Sequence, residues 1–172
     1  SPIALIIILG YSYTKRFTAL CHFVLGLGLS LAPVGAFIAV SEQFHLFPIL
    51  YGFVVLFWVS GFDIMYALQD KDFDQSLQLH SVPTWLGKEN ALKLSRVLHI
   101  LAANLMILVG GLAGFGLLYW MGTTLFIGLL IYQHTLVKAN DLSNINLAFF
   151  TTNGIASIAF ALFVLLELFI AH

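Results

Sequence analysis

Apolar residues run through this chain in long blocks with few interruptions, not in short alternating stretches. The blocks approach the about 20 residues that a helix needs to cross a bilayer, and they lack the period-two alternation of a membrane barrel. Five full spans are predicted, at Thr18–Val40, Phe47–Leu68, Ser95–Tyr119, Thr123–Val137 and Leu147–Ala171. The fourth is short for a crossing. Ahead of them, Ile3–Gly10 is too short to span and reads as the last turns of a helix that begins upstream, with a short interfacial segment as the alternative. One long loop is expected, Gln69–Leu94. Its Pro83 and Gly87 argue against a continuous helix, and Lys88–Leu94 is expected to form a short surface helix. The expected fold class is all-α, a polytopic transmembrane helix bundle forming a single domain over residues 1–172, truncated at its N-terminus.

Composition strengthens this reading. Of 172 residues, 60% are hydrophobic and 9% charged, against about 25% charged in an ordinary soluble domain. Mean hydropathy is +0.99. A lone cysteine, Cys21, excludes an internal disulfide and leaves the redox compartment unreadable. The first ten residues carry no basic region and no small-residue cleavage site, so no secretory signal is read there. Glycines such as Gly26, Gly28, Gly110 and Gly111 let helices approach closely, and Pro33 is expected to kink its helix.

Charge tests the span count. Carried through five spans, all 7 basic residues fall on one side: Lys15, Arg16, Lys71, Lys88, Lys93, Arg96 and Lys138. The opposite loops, Ser41–Phe44 and Trp120–Gly122, contain none. One missed helix would scatter these charges over both faces. The basic face is therefore expected to be cytoplasmic.

The acids are distributed unevenly. Four of the eight carboxylates, Asp63, Asp70, Asp72 and Asp74, cluster where one apolar block ends. Carboxylates are costly near hydrocarbon, so such a cluster is a candidate functional site. At about 100° per helical residue, Asp63, Tyr66, Ala67, Asp70 and Asp74 share one stripe, and Asp72 falls on the far side. Acids on one face at a membrane surface suit a hard divalent cation carrying a phosphorylated ligand. Lys15 and Arg16 would offset surplus negative charge there, Arg16 by bidentate contacts to phosphate. They serve equally well as topogenic flanking charges. Asp63 and Tyr66 lie deeper. There Asp63 would orient a polar substrate group or a metal-bound water, or else make a structural hydrogen bond. The histidines show no metal-binding spacing, and there is no Gly-rich phosphate loop.

The run Asp63-x-x-Tyr66-Ala67-x-x-Asp70-x-x-x-Asp74, followed by Leu79-His80-Ser81-Val82-Pro83-x-x-Leu86-Gly87, resembles the second aspartate motif and following loop of the membrane-bound aromatic prenyltransferases. Tyr11 and Tyr13 with Lys15-Arg16-Phe17-Thr18 look like the family's Tyr and Lys-Arg-x-Thr pattern. Tyr132-Gln133-His134 and the stretch Asp141–Gly154 also resemble it. The family's first aspartate motif, Asn-Asp-x-x-Asp-x-x-x-Asp, does not occur here. The likeness therefore implies the C-terminal part of a nine-helix fold, supplying half of a two-motif metal site.

That resemblance implies a chemistry. Mg²⁺ ions held by the two motifs, here through Asp70 and Asp74, would bind the diphosphate of a polyprenyl diphosphate, with Lys15 and Arg16 as diphosphate contacts. An aromatic acid acceptor, 4-hydroxybenzoate, would then be prenylated at a ring carbon in ubiquinone or menaquinone biosynthesis, with Asp63 and Tyr66 as catalytic residues. The expected partners are these substrates, the lipid bilayer and the missing N-terminal helices; no nucleic acid is expected. The expected location is a bacterial inner membrane with the site on the cytoplasmic face. The fragment alone is expected to be inactive. Two other classes stay open: a transporter or channel fragment with intramembrane carboxylates, and a catalytically silent membrane fragment.

Overall fold

The computed structural model describes residues 2–170. The described chain is helical almost throughout: α1 (Pro2–Thr14), α2 (Cys21–Ser41), α3 (Leu46–Tyr66), α4 (Lys71–Ser76), α5 (Val82–Ala113), α6 (Leu117–Leu136) and α7 (Asn153–Ile170), the last entered through a π-helical turn at Leu147–Thr152. Ala171, expected to close the last span, lies outside the described residues. Four stretches, Cys21–Ser41, Leu46–Tyr66, Val82–Ala113 and Leu147–Ile170, are long and apolar enough to cross a membrane. The remaining expected span, the fourth, corresponds to α6, with 20 residues and the polar Gln133 and His134 near its end. It packs in the same bundle, mainly against α7. The protein is an all-α, multi-pass membrane bundle.

Each helix stops for a local reason. Glu42 closes α2 in the left-handed region (φ 55°), and its N–H donates to Ile38 O. The ring of His45 accepts from the Phe47 N–H and starts α3. Ser81 and Thr84 form a capping box at the start of α5, with Pro83 in its first turn, where no intrahelical N–H is needed. Gly87, at φ 79°, interrupts α5 in a conformation that suits glycine. The helix resumes at once, so Lys88–Leu94 forms the first turns of the long span and not a separate surface helix.

The far turn also differs from expectation. Gly114 ends α5 at φ 67°, and α6 begins at Leu117. The break therefore lies at residues 114–116, not at Trp120–Gly122, and Tyr119 and Trp120 sit in the first helical turn of α6. Glu167 decides the position. Its carboxylate accepts the N–H groups of Gly116 (2.7 Å) and Leu118 (3.1 Å), satisfying donors that a helix N-terminus leaves open.

Close crossings set the packing. At Gly26, a Cβ would sit 2.7 Å from Leu56 O, so only glycine admits α2 this near to α3. Ser95 Oγ donates to Gly61 O (2.7 Å), binding α5 to α3. Two apolar clusters follow, one around Ile64, Leu68, Val82 and Leu98 near the basic face, the other around Val54, Met106, Phe126 and Leu130 deeper in the bundle.

Candidate functional site

The acidic run does not continue as one helix. After Tyr66 the backbone tightens into three-residue turns, with Leu68 N–H on Met65 O, Gln69 N–H on Tyr66 O and Asp70 N–H on Ala67 O. The short helix α4 follows. Such steps turn about 120° instead of about 100° per residue, so the faces of α3 and α4 fall out of register. The stripe expected from Asp63 to Asp74 is therefore divided.

Asp63, Tyr66 and Asp70 line one cleft of about 380 Å³, together with Tyr11, Lys15, His22 and Phe149. Asp74 is turned away from that lining. It is buried at 2% exposure and ion-paired with Lys15 (3.2 Å). Lys15 does both jobs: it lines the cleft and holds Asp74. Burial opposes its charge, but Asp74 and then Asp70 outweigh that penalty and hold its pKa above the ordinary lysine value. Its carbonyl accepts the His80 N–H (2.6 Å), which fastens the loop after α4 over the end of α1. Arg16 is exposed and lies 5.5 Å from the centre of the Tyr13 ring, outside the cleft lining. Asp72 is exposed.

Asp63 is oriented by a residue that sequence reasoning passed over. His22 Nδ1 lies 2.7 Å from Asp63 Oδ2. The backbone N–H of Val82 donates to His22 Nε2 (3.3 Å). Nε2 is thus the acceptor nitrogen, and the proton on Nδ1 is donated to the carboxylate. A histidine within the first turn of an otherwise oily helix is the signal that the sequence offers.

The other wall is aromatic. Tyr66 stacks on Phe149 at 4.0 Å, and Phe62 meets Phe149 edge-on at 5.3 Å. The π-helical turn puts Phe149 there. Gln133 secures that turn by donating from Nε2 to Ala148 O (3.0 Å). No helical periodicity announces a π turn, so spacing alone does not mark Phe149 as a site residue. Such turns are common at functional sites.

Among the described residues, no group of three or more His, Cys, Asp or Glu side chains converges to hold a metal ion. The donors nearest that role are hard carboxylate oxygens. They fit Mg²⁺, which binds through one or two carboxylates plus substrate phosphates.

The likeness to known proteins covers nearly all of the chain. Residues 1–167 match the UbiA prenyltransferase family. A 4-hydroxybenzoate octaprenyltransferase of Paraburkholderia phymatum is 28% identical over 88% of this chain and 52% of its own length. One from Burkholderia cenocepacia is 29% identical over 94% of this chain and 56% of its own length. The chain spans about half the length of the curated relatives it matches. The apo structure of a UbiA homolog from Aeropyrum pernix superposes with a TM-score of 0.85 at 30% identity, covering 97% of this chain and 62% of that one. A carboxylate-bearing cleft at the end of a helical membrane bundle, matched in sequence from residue 1 to residue 167, makes this chain a member of the UbiA prenyltransferase family.

Proposed function

We propose that this chain supplies the second aspartate motif of an enzyme that transfers a polyprenyl group from its diphosphate to a ring carbon of an aromatic acid. The observation that carries the reading is the cleft itself, where Lys15, Asp63 and Asp70 face the stacked pair Tyr66 and Phe149. The charged side suits a diphosphate and its counter-ion, and the aromatic side suits an allylic cation. The names of the relatives favour 4-hydroxybenzoate as the acceptor and quinone biosynthesis as the setting.

Lys15 would pair with a phosphate oxygen of the donor. Doing so loosens its hold on Asp74, which joins Asp70 as a candidate metal ligand. Arg16, one residue on, is the candidate for a bidentate phosphate contact once its side chain leaves Tyr13. Mg²⁺ bound there would offset the charge that builds on the leaving diphosphate. The allylic C–O bond breaks, and its electron pair leaves with the diphosphate. The Tyr66–Phe149 stack offers its outer ring face to the cation, and the apolar walls keep water from capturing it. The acceptor ring carbon bonds to the allylic carbon. Asp63 takes the ring proton on Oδ1, which has no hydrogen bond among the described residues, while His22 holds Oδ2.

The site would be completed by a further set of acids from the rest of the parent protein. The chain's span of about half the length of its curated relatives supports this. We also place the basic face in the cytoplasm of a bacterial inner membrane, on the charge segregation. The test uses membranes containing the parent protein, given polyprenyl diphosphate, 4-hydroxybenzoate and Mg²⁺. Prenylated acid should form and should vanish on Asp70→Ala. Undiminished product from Asp70→Ala would reject the assigned site, and product from this polypeptide alone would reject its need for completion.

A further inference from the structure

Away from the cleft, α5 and α6 part along their outer faces. They leave a groove of about 440 Å³ walled mainly by apolar side chains, including Ile100, Ala103, Ile107 and Ile131, with His99, Asn104, His134 and Thr135 also in its lining. That volume lies within the roughly 300–1,000 Å³ of ordinary small-molecule sites. Arg96 stands at its polar end. The same Arg96 also lines a second hollow of about 200 Å³ with Lys93, Lys138 and Glu89. Neither space shares a lining residue with the cleft that holds Asp63 and Asp70.

We propose that groove and hollow together bind one anionic glycerophospholipid, one of its acyl chains between α5 and α6 and its phosphate among Lys93, Arg96 and Lys138. Charge argues for the headgroup. Three cations share the hollow with Glu89, and Asp141 lies beside Lys138, which leaves positive charge in excess; among the described residues none of the three cations makes a salt bridge. Arg96 offers a bidentate fork to phosphate oxygens. Length argues for the chain. From Arg96 to Ile107 along α5 is about 16 Å at helical rise, close to the about 15 Å hydrocarbon depth of one leaflet. A soluble anion satisfies only the hollow, and an uncharged apolar molecule satisfies only the groove. An amphiphile with a negative headgroup satisfies both. Positive charge kept only for topology has no need of an apolar groove ending on the same arginine. Basic pockets between spans at a membrane surface are suited to anionic headgroups.

The experiment is native mass spectrometry of the purified chain in neutral detergent, with phosphatidylglycerol or phosphatidylcholine added at equal concentration. One phosphatidylglycerol should be retained, about tenfold more strongly than phosphatidylcholine. Arg96→Gln with Lys138→Gln should bring the two lipids level. Lys71→Gln with Lys88→Gln, which removes equal charge elsewhere in the chain, should leave the preference intact. Ala103→Trp should weaken retention by obstructing the groove; if that variant does not fold, Ile131→Trp obstructs it from the facing helix. Equal retention of both lipids by the unaltered chain would overturn the proposal. So would undiminished preference after the Arg96 and Lys138 changes, or displacement of the lipid by equimolar glycerol 3-phosphate, which would mark a bare anion site.

Discussion

His22 and Asp63 meet at 2.7 Å across the α2–α3 interface, and the Val82 N–H fixes which imidazole nitrogen faces the carboxylate. Asp63 is thereby held by an element 41 residues away in sequence. In the active parent, His22→Ala should lower kcat by about 10- to 100-fold, the range for groups that orient a ligand. His22→Asn, which keeps one donor and one acceptor, should recover part of it. A folded His22→Ala enzyme with unchanged kcat would reject the orienting role.

Lys15 and Asp74 form the second buried relationship. Removing one partner of such a pair costs about 3–5 kcal/mol when both are fully buried. Lys15 keeps a quarter of its side chain in solvent, so Lys15→Met should fall below that range. Lys15→Met with Asp74→Leu should melt close to the unaltered protein. Because the Lys15 pKa is raised on folding, the pair's contribution is complete below the ordinary lysine value of 10.5 and is lost as pH rises through the folded value. Melting curves of the unaltered and Lys15→Met proteins should converge only on the alkaline side of that value. Convergence on the acidic side would contradict the sign.

Gly26→Ala should destabilise the bundle by about 1–3 kcal/mol, as overpacking does. The new Cβ would meet Leu56 O at 2.7 Å, and a backbone oxygen does not rotate away. Thermal unfolding in detergent measures this. Adding Ser60→Ala, which removes the side-chain oxygen nearest to the new Cβ, should not restore the loss.

The Tyr66 and Phe149 stack predicts a split between binding and chemistry. Phe149→Leu preserves apolar bulk but removes the ring face, so kcat should fall, by roughly tenfold, more than donor KM rises. Equal loss from Phe149→Leu and Phe149→Tyr would show that packing, and not the ring face, is what matters.

Cysteines placed at Ser76 and Gln43 should label from opposite sides of the membrane. Cys21 is buried and should remain silent, leaving a clean background. Labelling of both from one side would overturn the span count.

The hydrophobic pattern alone determined the helical membrane class, because long apolar blocks in lipid must satisfy their own backbone bonds. Charge placement marked one face without any tertiary information, and the spacing of Asp63, Tyr66 and Asp70 located one wall of the cleft. Periodicity was misleading wherever the helix departed from its regular pitch. The three-residue turns after Tyr66 moved Asp74 onto Lys15, and the π turn carried Phe149 over Tyr66. Gly114 and Glu167 moved the far turn from residues 120–122 to residues 114–116. Only the packed bundle decided these points. Which carboxylate faces open space, and which is neutralised by a lysine 59 residues away, depends on contacts between helices. Local sequence spacing carries no information about them.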